Sequence, residues 1–137
     1  MLKPLVRIGT DVVHIPRIQE ALDRFGDRFL NKVYTPAERD YCFRSPSHTL
    51  HRLAGRWGAK EAAVKALGVG WKGVGYRDVE VVRAPSGAPS IVLHGRGLEV
   101  LQRLGGEPEL ADWQLSFSHD RDYAFATALL SQFSSTR

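Results

Sequence analysis

Apolar positions along the chain switch between two periods. From Leu5 to Ile15 the run LVRIGTDVVHI is rich in Val and Ile and reads as a β-strand interrupted by Gly9. Strict alternation puts Asp11 on the opposite side from Val6, Ile8 and Val12. Pro16 suits the first turn of a helix, which continues as RIQEALDRF and stops at Gly26. Thr35-Pro36-Ala37-Glu38 has capping-box spacing with proline at the first helical position, and that helix ends before Ser45-Pro46. A long helix follows from about His48 to Leu67, closed by Gly68 and Gly70.

Beyond it the period returns to two. GVGYRDVEVVRA and SIVLHG are strands separated by the turn Pro85–Pro89. Gly97 to Leu104 is a short helix ended by Gly105 and Gly106. WQLSFSHDRDYAFATALL reads as two strands around a His-Asp-Arg-Asp turn, and Ser131 to Arg137 is a short polar tail. One strand, three helices and then mostly strands predict a single α+β domain over residues 1–137, with an antiparallel sheet packed on the long helix. No linker and no repeat divides it.

The long helix carries an anomaly. At about 100° per residue, Leu50, Leu53, Ala54, Trp57 and Val64 share one face, and Glu61 falls inside that stripe. Lys65 sits at the stripe's edge one turn on. An unpaired buried carboxylate is costly, so Glu61 needs a partner. The ordinary one is Lys65, in the favourable Glu-before-Lys order at i,i+4. Asp11, read alone, is a solvated strand acid. Taken together, two acids from separate elements with Lys and Arg nearby point to a magnesium site that also holds phosphate oxygens, since Mg²⁺ prefers one or two carboxylates, waters and substrate phosphates.

Composition narrows the class. The chain has 137 residues, 43% hydrophobic and 25% charged, enough for one globular core and against global disorder. No apolar run approaches the roughly 18 residues of a membrane span, and no secretory signal pattern opens the sequence. A single Cys42 fits a reducing cytoplasm. The net charge of +4 is compatible with phosphorylated small molecules or an acidic protein partner. Lys and Arg are dispersed, without the dense run or aromatic signature of a nucleic-acid binder. His14, His48, His51 and His94 lack metal-ligand spacing, and no phosphate-binding glycine loop opens a helix. His119, in SFSHDRDYAF, reads by itself as a polar turn residue.

Three stretches, IGTDVVHIPRI, LAGRWGAKEAAVKALGVG and LSFSHDRDYAFATAL, together resemble the holo-(acyl-carrier-protein) synthase family of small 4′-phosphopantetheinyl transferases. The family pattern is roughly G-x-D with a downstream Arg, then R-[FW]-x-x-K-E-A-x-x-K-A, then S-H-x-x-x-Y-A. All three occur in order between about Arg7 and Leu129.

The resemblance implies the 4′-phosphopantetheinyl transferase fold and transfer of phosphopantetheine from coenzyme A to a serine of acyl carrier protein. It also implies Mg²⁺ dependence, release of 3′,5′-ADP and service to fatty acid biosynthesis. Asp11 and Glu61 would be metal ligands, with Glu61 and Lys65 catalytic. Arg56, Lys65, Gly87, Pro89, Ser118 and His119 would bind coenzyme A, and Arg17 and Arg24 the acidic carrier. Ala88 stands where the family's turn carries a basic residue. The general base is open among Glu61, Glu38 and a metal-bound water. A cytoplasmic homotrimer with sites between subunits is implied too. The competing readings are a non-catalytic carrier-binding module of the same fold and a transferase acting on polyketide or peptide synthetase carriers.

Overall fold

The computed structural model describes residues 2–71, 73–105 and 107–135. Its elements are β1 (Leu2–His14), α1 (Ile15–Phe25), α2 (Asp27–Val33), α3 (Pro36–Phe43), α4 (Thr49–Leu67), β2 (Val79–Arg83), β3 (Pro89–Leu93), α5 (Gly95–Arg103), β4 (Asp112–Asp120) and β5 (Tyr123–Ser135). A three-stranded antiparallel sheet has the spatial order β1-β5-β4, and β2 and β3 form a separate antiparallel pair. The α+β class predicted from the alternating periods is the observed one.

Helix α4 packs across β1 and β5 because the facing positions are small. A Cβ on Gly9 would lie 1.9 Å from the Ala62 carbonyl oxygen, so strand and helix meet backbone to backbone. Gly58 is similarly close: its Cβ would meet Val13 Cγ2 at 3.2 Å and the Ala126 Cβ at 3.3 Å. Gly9 therefore does not interrupt β1; it stays in the ladder opposite Ala128 and gives the helix room.

This packing inverts the expected burial of the strand. Gly9 and Val13 are buried and Asp11 is half-buried, while Val6, Ile8 and Val12 are 64%, 65% and 56% exposed. Space beneath α4 decided the face, not hydrophobicity.

The helix is also buried on more than one side. Leu53 and Ala54 join Ile18, Leu30, Tyr34 and Cys42 in one core cluster. Ala59, Ala63, Val64 and Leu67 join Val79, Ile91, Leu101 and Leu130 in another. Between the two lies an ion pair, Lys60 with Glu38 at 2.8 Å, both side chains fully buried. Lys60 Nζ also donates to the carbonyls of Tyr76 at 3.0 Å and Val79 at 2.6 Å. The Glu38 carboxylate also accepts from the backbone N–H groups of Thr35 and Val81, each at 2.8 Å. Thr35 completes the predicted capping box through its side chain.

Several element boundaries differ from expectation. Asp27–Val33 is a separate helix, too short for a seven-residue pattern to announce. The long helix starts at Thr49 after a 3-10 turn at Pro46–His48, and α5 starts two residues before Gly97. Gly106, the second expected terminator of α5, lies outside the described residues. His119 and Asp120 belong to β4, so the hairpin turn is only Arg121-Asp122, with Arg121 at φ 53°. The polar tail continues β5 as far as Ser135.

Lys60→Met should cost about 3–5 kcal/mol, because it strands a buried carboxylate. Urea unfolding would measure it. A loss below about 1 kcal/mol, the scale of one ordinary hydrogen bond, would show that Glu38 is satisfied without Lys60.

Candidate active site

Two residues beyond Gly9, the face of β1 that packs on α4 presents Asp11. Next to Ala62 the helix presents Glu61, and one turn on, Lys65. Lys65 Nζ donates to Asp11 Oδ1 at 3.1 Å and to the Thr10 carbonyl at 3.0 Å. The cation therefore pairs across to the strand rather than along the helix with Glu61. Glu61 Oε2 instead accepts from the Trp71 indole N–H at 3.2 Å. Asp11 and Glu61 line one cavity of about 370 Å³ together with His14, Arg17, Ile18 and Trp57.

Burial raises the Glu61 pKa above the ordinary carboxylate range; the Asp11 charge adds to the rise, while Trp71 and Lys65 oppose it. Two carboxylates facing one cavity, one of them with its ionisation disfavoured by burial and by the other's charge, suit a hard cation. Among the described residues no group of three His, Cys, Asp or Glu side chains is placed to hold a metal ion by itself. The donor set fits Mg²⁺, which completes its shell with water and phosphate oxygens, better than a metal held wholly by protein.

Arg17, on α1, edges the same cavity; Arg24 does not, lying exposed with its guanidinium over the Phe25 ring. Arg56 is buried on another side of α4, about 140° around from Glu61 at 100° per residue. Its guanidinium lies 4.1 Å from the Tyr41 ring centroid and lines a separate cavity of about 340 Å³ with Arg83. Gly87 sits in the β2–β3 turn at φ 89°, and Pro89 begins β3. Ser118 and His119 are exposed near the end of β4, and the His119 ring is edge-on to His51 at 5.0 Å.

Within one chain the structure thus brings Asp11, Glu61, Lys65 and Arg17 together. Arg56, Gly87, Pro89, Ser118 and His119 lie outside that cavity. Glu38 is corrected outright as a candidate base: both its oxygens are engaged and water cannot reach it. Sequence reasoning missed the aromatic wall beside Glu61, where Trp71 stacks on Tyr76 at 4.1 Å and Tyr76 on Trp57 at 5.2 Å. Trp71 follows a glycine-rich stretch without periodicity, so no pattern placed it.

A family model described as the 4′-phosphopantetheinyl transferase superfamily matches residues 7–128. The chain belongs to that family, and it is a phosphopantetheinyl transferase of the holo-[acyl-carrier-protein] synthase type. The holo-[acyl-carrier-protein] synthase of Gloeobacter violaceus is 60% identical over 123 residues, covering 90% of each protein. That of Koribacter versatilis is 47% identical, covering 89% of this chain and 94% of the relative. Among solved structures, a coenzyme A complex from Chronobacterium ammoniagenes superposes with a TM-score of 0.79 at 34% identity, over 92% of this chain and 96% of that one. A coenzyme A complex from Helicobacter pylori gives 0.75 at 31%, over 90% and 98%.

The raised Glu61 pKa has a definite sign for stability. The folded state holds the proton longer than the unfolded state, so this contribution is present at low pH. It is lost as pH rises through the raised value. Glu61→Gln should therefore raise the melting temperature of the metal-free protein at pH 7, and the gain should vanish in acid. Wild type should gain stability on adding Mg²⁺ while Glu61→Gln gains little. Equal Mg²⁺ stabilisation of both would remove Glu61 from the metal site.

Proposed function

We propose that this chain transfers the 4′-phosphopantetheine group of coenzyme A to a serine of an apo-acyl carrier protein, with Mg²⁺ bound at Asp11 and Glu61. The observation that carries the reading is the convergence of Asp11 and Glu61 on one cavity edged by Arg17, with Lys65 bonded to Asp11. The serine hydroxyl oxygen bonds to the phosphorus nearer the pantetheine. The bond from that phosphorus to the bridging oxygen breaks, and 3′,5′-ADP leaves.

When bound, the metal supplies neutralisation of charge on the transferring phosphoryl group. Lys65 exchanges its bond to Asp11 for pyrophosphate oxygens. Since Glu38 is sealed in the core, the serine proton passes to Glu61 or to a water beside it. Trp71 holds Glu61 in place through its indole N–H and stacks on Tyr76, which in turn stacks on Trp57 in the cavity wall.

The remaining coenzyme A contacts, from Arg56, Gly87, Pro89, Ser118 and His119, come from a neighbouring copy in a homotrimer. Two observations support this. These residues lie away from the chain's own carboxylate cavity, and Ser118 pairs in register with Phe125 on the sheet face that exposes Val6, Ile8 and Val12. An apolar face of this kind needs a cover. Arg17 and Arg24 receive the acidic carrier, which belongs to fatty acid biosynthesis in the cytoplasm. The buried free thiol of Cys42, its pKa pushed up to about 11 chiefly by burial, is in keeping with a reducing compartment.

Incubation with apo-carrier, coenzyme A and Mg²⁺ should add one phosphopantetheine to the carrier by intact mass. Asp11→Ala should reduce the rate by at least about 100-fold, on the scale of losing one electrostatic contact to the transition state. Unmodified carrier with wild-type protein would end the transferase reading.

Arg17→Glu should raise KM for the carrier far more than KM for coenzyme A, and the effect should shrink with salt. An equal, salt-independent loss for both substrates would take Arg17 off the docking surface.

A further inference from the structure

Each carboxylate of the acidic cavity is tied by one of its oxygens. Lys65 Nζ donates to Asp11 Oδ1 at 3.1 Å, and the Trp71 indole N–H donates to Glu61 Oε2 at 3.2 Å. Asp11 thus keeps Oδ2 for a cation, and Glu61 keeps Oε1. The two ties differ in how easily they yield. The Lys65 side chain is 56% exposed and flexible, so an incoming phosphate can draw it away. Trp71 is half-buried, its ring stacked on Tyr76 at 4.1 Å with the planes 29° apart. Tyr76 stacks in turn on Trp57 at 5.2 Å, and Trp57 lies 6.1 Å from Phe29. The indole N–H is therefore a fixed donor at one end of a column of rings that runs from the loop after α4 to α2. Gly68, in the left-handed conformation at φ 76°, ends α4 and lets the chain return so that Trp71 meets Glu61.

Magnesium and calcium ask different things of a carboxylate. Ca²⁺ gathers about 6–8 oxygens at roughly 2.3–2.6 Å in flexible geometry and accepts both oxygens of one carboxylate. Mg²⁺ demands a near-ideal octahedron at about 2.0–2.1 Å, keeps several waters, and fits poorly to the short bite of a two-oxygen carboxylate.

We propose that Trp71 determines the metal specificity of the site: by holding Glu61 Oε2 it confines Glu61 to one-oxygen coordination and so favours Mg²⁺ over Ca²⁺. This assignment rests on the reading above that places the cation at Asp11 and Glu61. A cation that takes both Glu61 oxygens must break the indole bond. It then leaves the N–H of a half-buried ring unpaired or shifts that ring out of its stack. A cation that takes one oxygen incurs neither penalty. Trp71 acts through Glu61, as a positioning residue, in the way that partners of ligating groups orient them in other metal sites.

Cation binding to the protein alone, without coenzyme A or carrier, tests the assignment. Melting temperatures followed against MgCl₂ and CaCl₂ at fixed ionic strength give an apparent Kd for each ion. Trp71→Phe keeps a ring against Tyr76 and removes the N–H. It should lower the ratio of the Ca²⁺ Kd to the Mg²⁺ Kd about tenfold, the scale of one hydrogen bond to a charged group. An unchanged ratio, including equal weakening of both ions by a variant that merely loosens the loop, would overturn the proposal. Should Trp71→Phe melt too low to titrate, 3-benzothienylalanine at position 71 retains the double ring without the N–H and should change the ratio in the same way. Asp11→Asn separates this proposal from the reading beneath it, and should weaken both ions. If it does and the ratio ignores Trp71, the metal site stands and the role of Trp71 falls. If neither ion stabilises wild type, or Asp11→Asn binds both ions as wild type does, the metal reading and the proposal fall together. A wild type that modifies no carrier yet shows the Trp71-dependent ratio would end the transferase reading and leave the proposal standing.

Discussion

The approach of β1 to α4 at Gly9 sets the geometry from which the site follows. A strand and a helix normally keep apart by the length of their side chains. Here the first Cβ alone would fall within 1.9 Å of the Ala62 carbonyl. Only the residue without one allows the contact. Asp11 stands two residues further on the same face, about 6.6 Å along the strand, and Glu61 immediately precedes the helix residue that Gly9 touches. Lys65 reaches both Asp11 and the Thr10 carbonyl because the backbones are already close. With the strand moved out by a methyl group, the two carboxylates would no longer share a small cavity.

Rotation of α4 is fixed from the other side by Lys60. Adjacent residues on a helix point about 100° apart, so anchoring Lys60 toward α3 and β2 turns Glu61 toward the cavity. Burial lowers the Lys60 pKa, and the Glu38 carboxylate opposes that shift. The ammonium has three acceptors, Glu38 and two carbonyls, which match its three protons. Glu38 meanwhile closes the cap of α3 and receives the Val81 N–H of β2. One carboxylate thereby joins three elements, and the same engagement withdraws it from chemistry.

Local signals in the sequence carried much of this. The capping box at Thr35–Glu38, the Gly68 stop of α4 and the Pro85–Pro89 turn each appear because a few neighbouring residues determine them. The misplaced acid at Glu61 was visible as a break in the apolar stripe, and in the structure it shares a cavity with Asp11. Contacts between distant segments were not visible. Nothing in LVRIGTDVV tells which face the helix will cover, and the apolar face proved to be the outer one. Nothing in GAKEAA tells that Lys60, rather than Lys65, is the buried cation. The arginines around Tyr41 come from three separate elements, so no stretch of sequence could show that they meet.

The separation of the expected coenzyme A residues has a physical logic once the outer sheet face is considered. Carboxylates suited to a cation and guanidiniums suited to an anion attract each other. Crowding both sets on one side of α4 would pair them with each other before substrate arrives. In this chain the acids with Lys65 occupy one side, and the uncompensated arginines another. The exposed face of Val6, Ile8 and Val12 continues through Phe125 to Ser118, so the sheet carries one unbroken outer surface, and in the proposed trimer this is the surface a second copy would cover. Within the acidic cavity the pairing is local, Lys65 with Asp11 at 3.1 Å, while Arg52, Arg56 and Arg83 keep no carboxylate partner among the described residues.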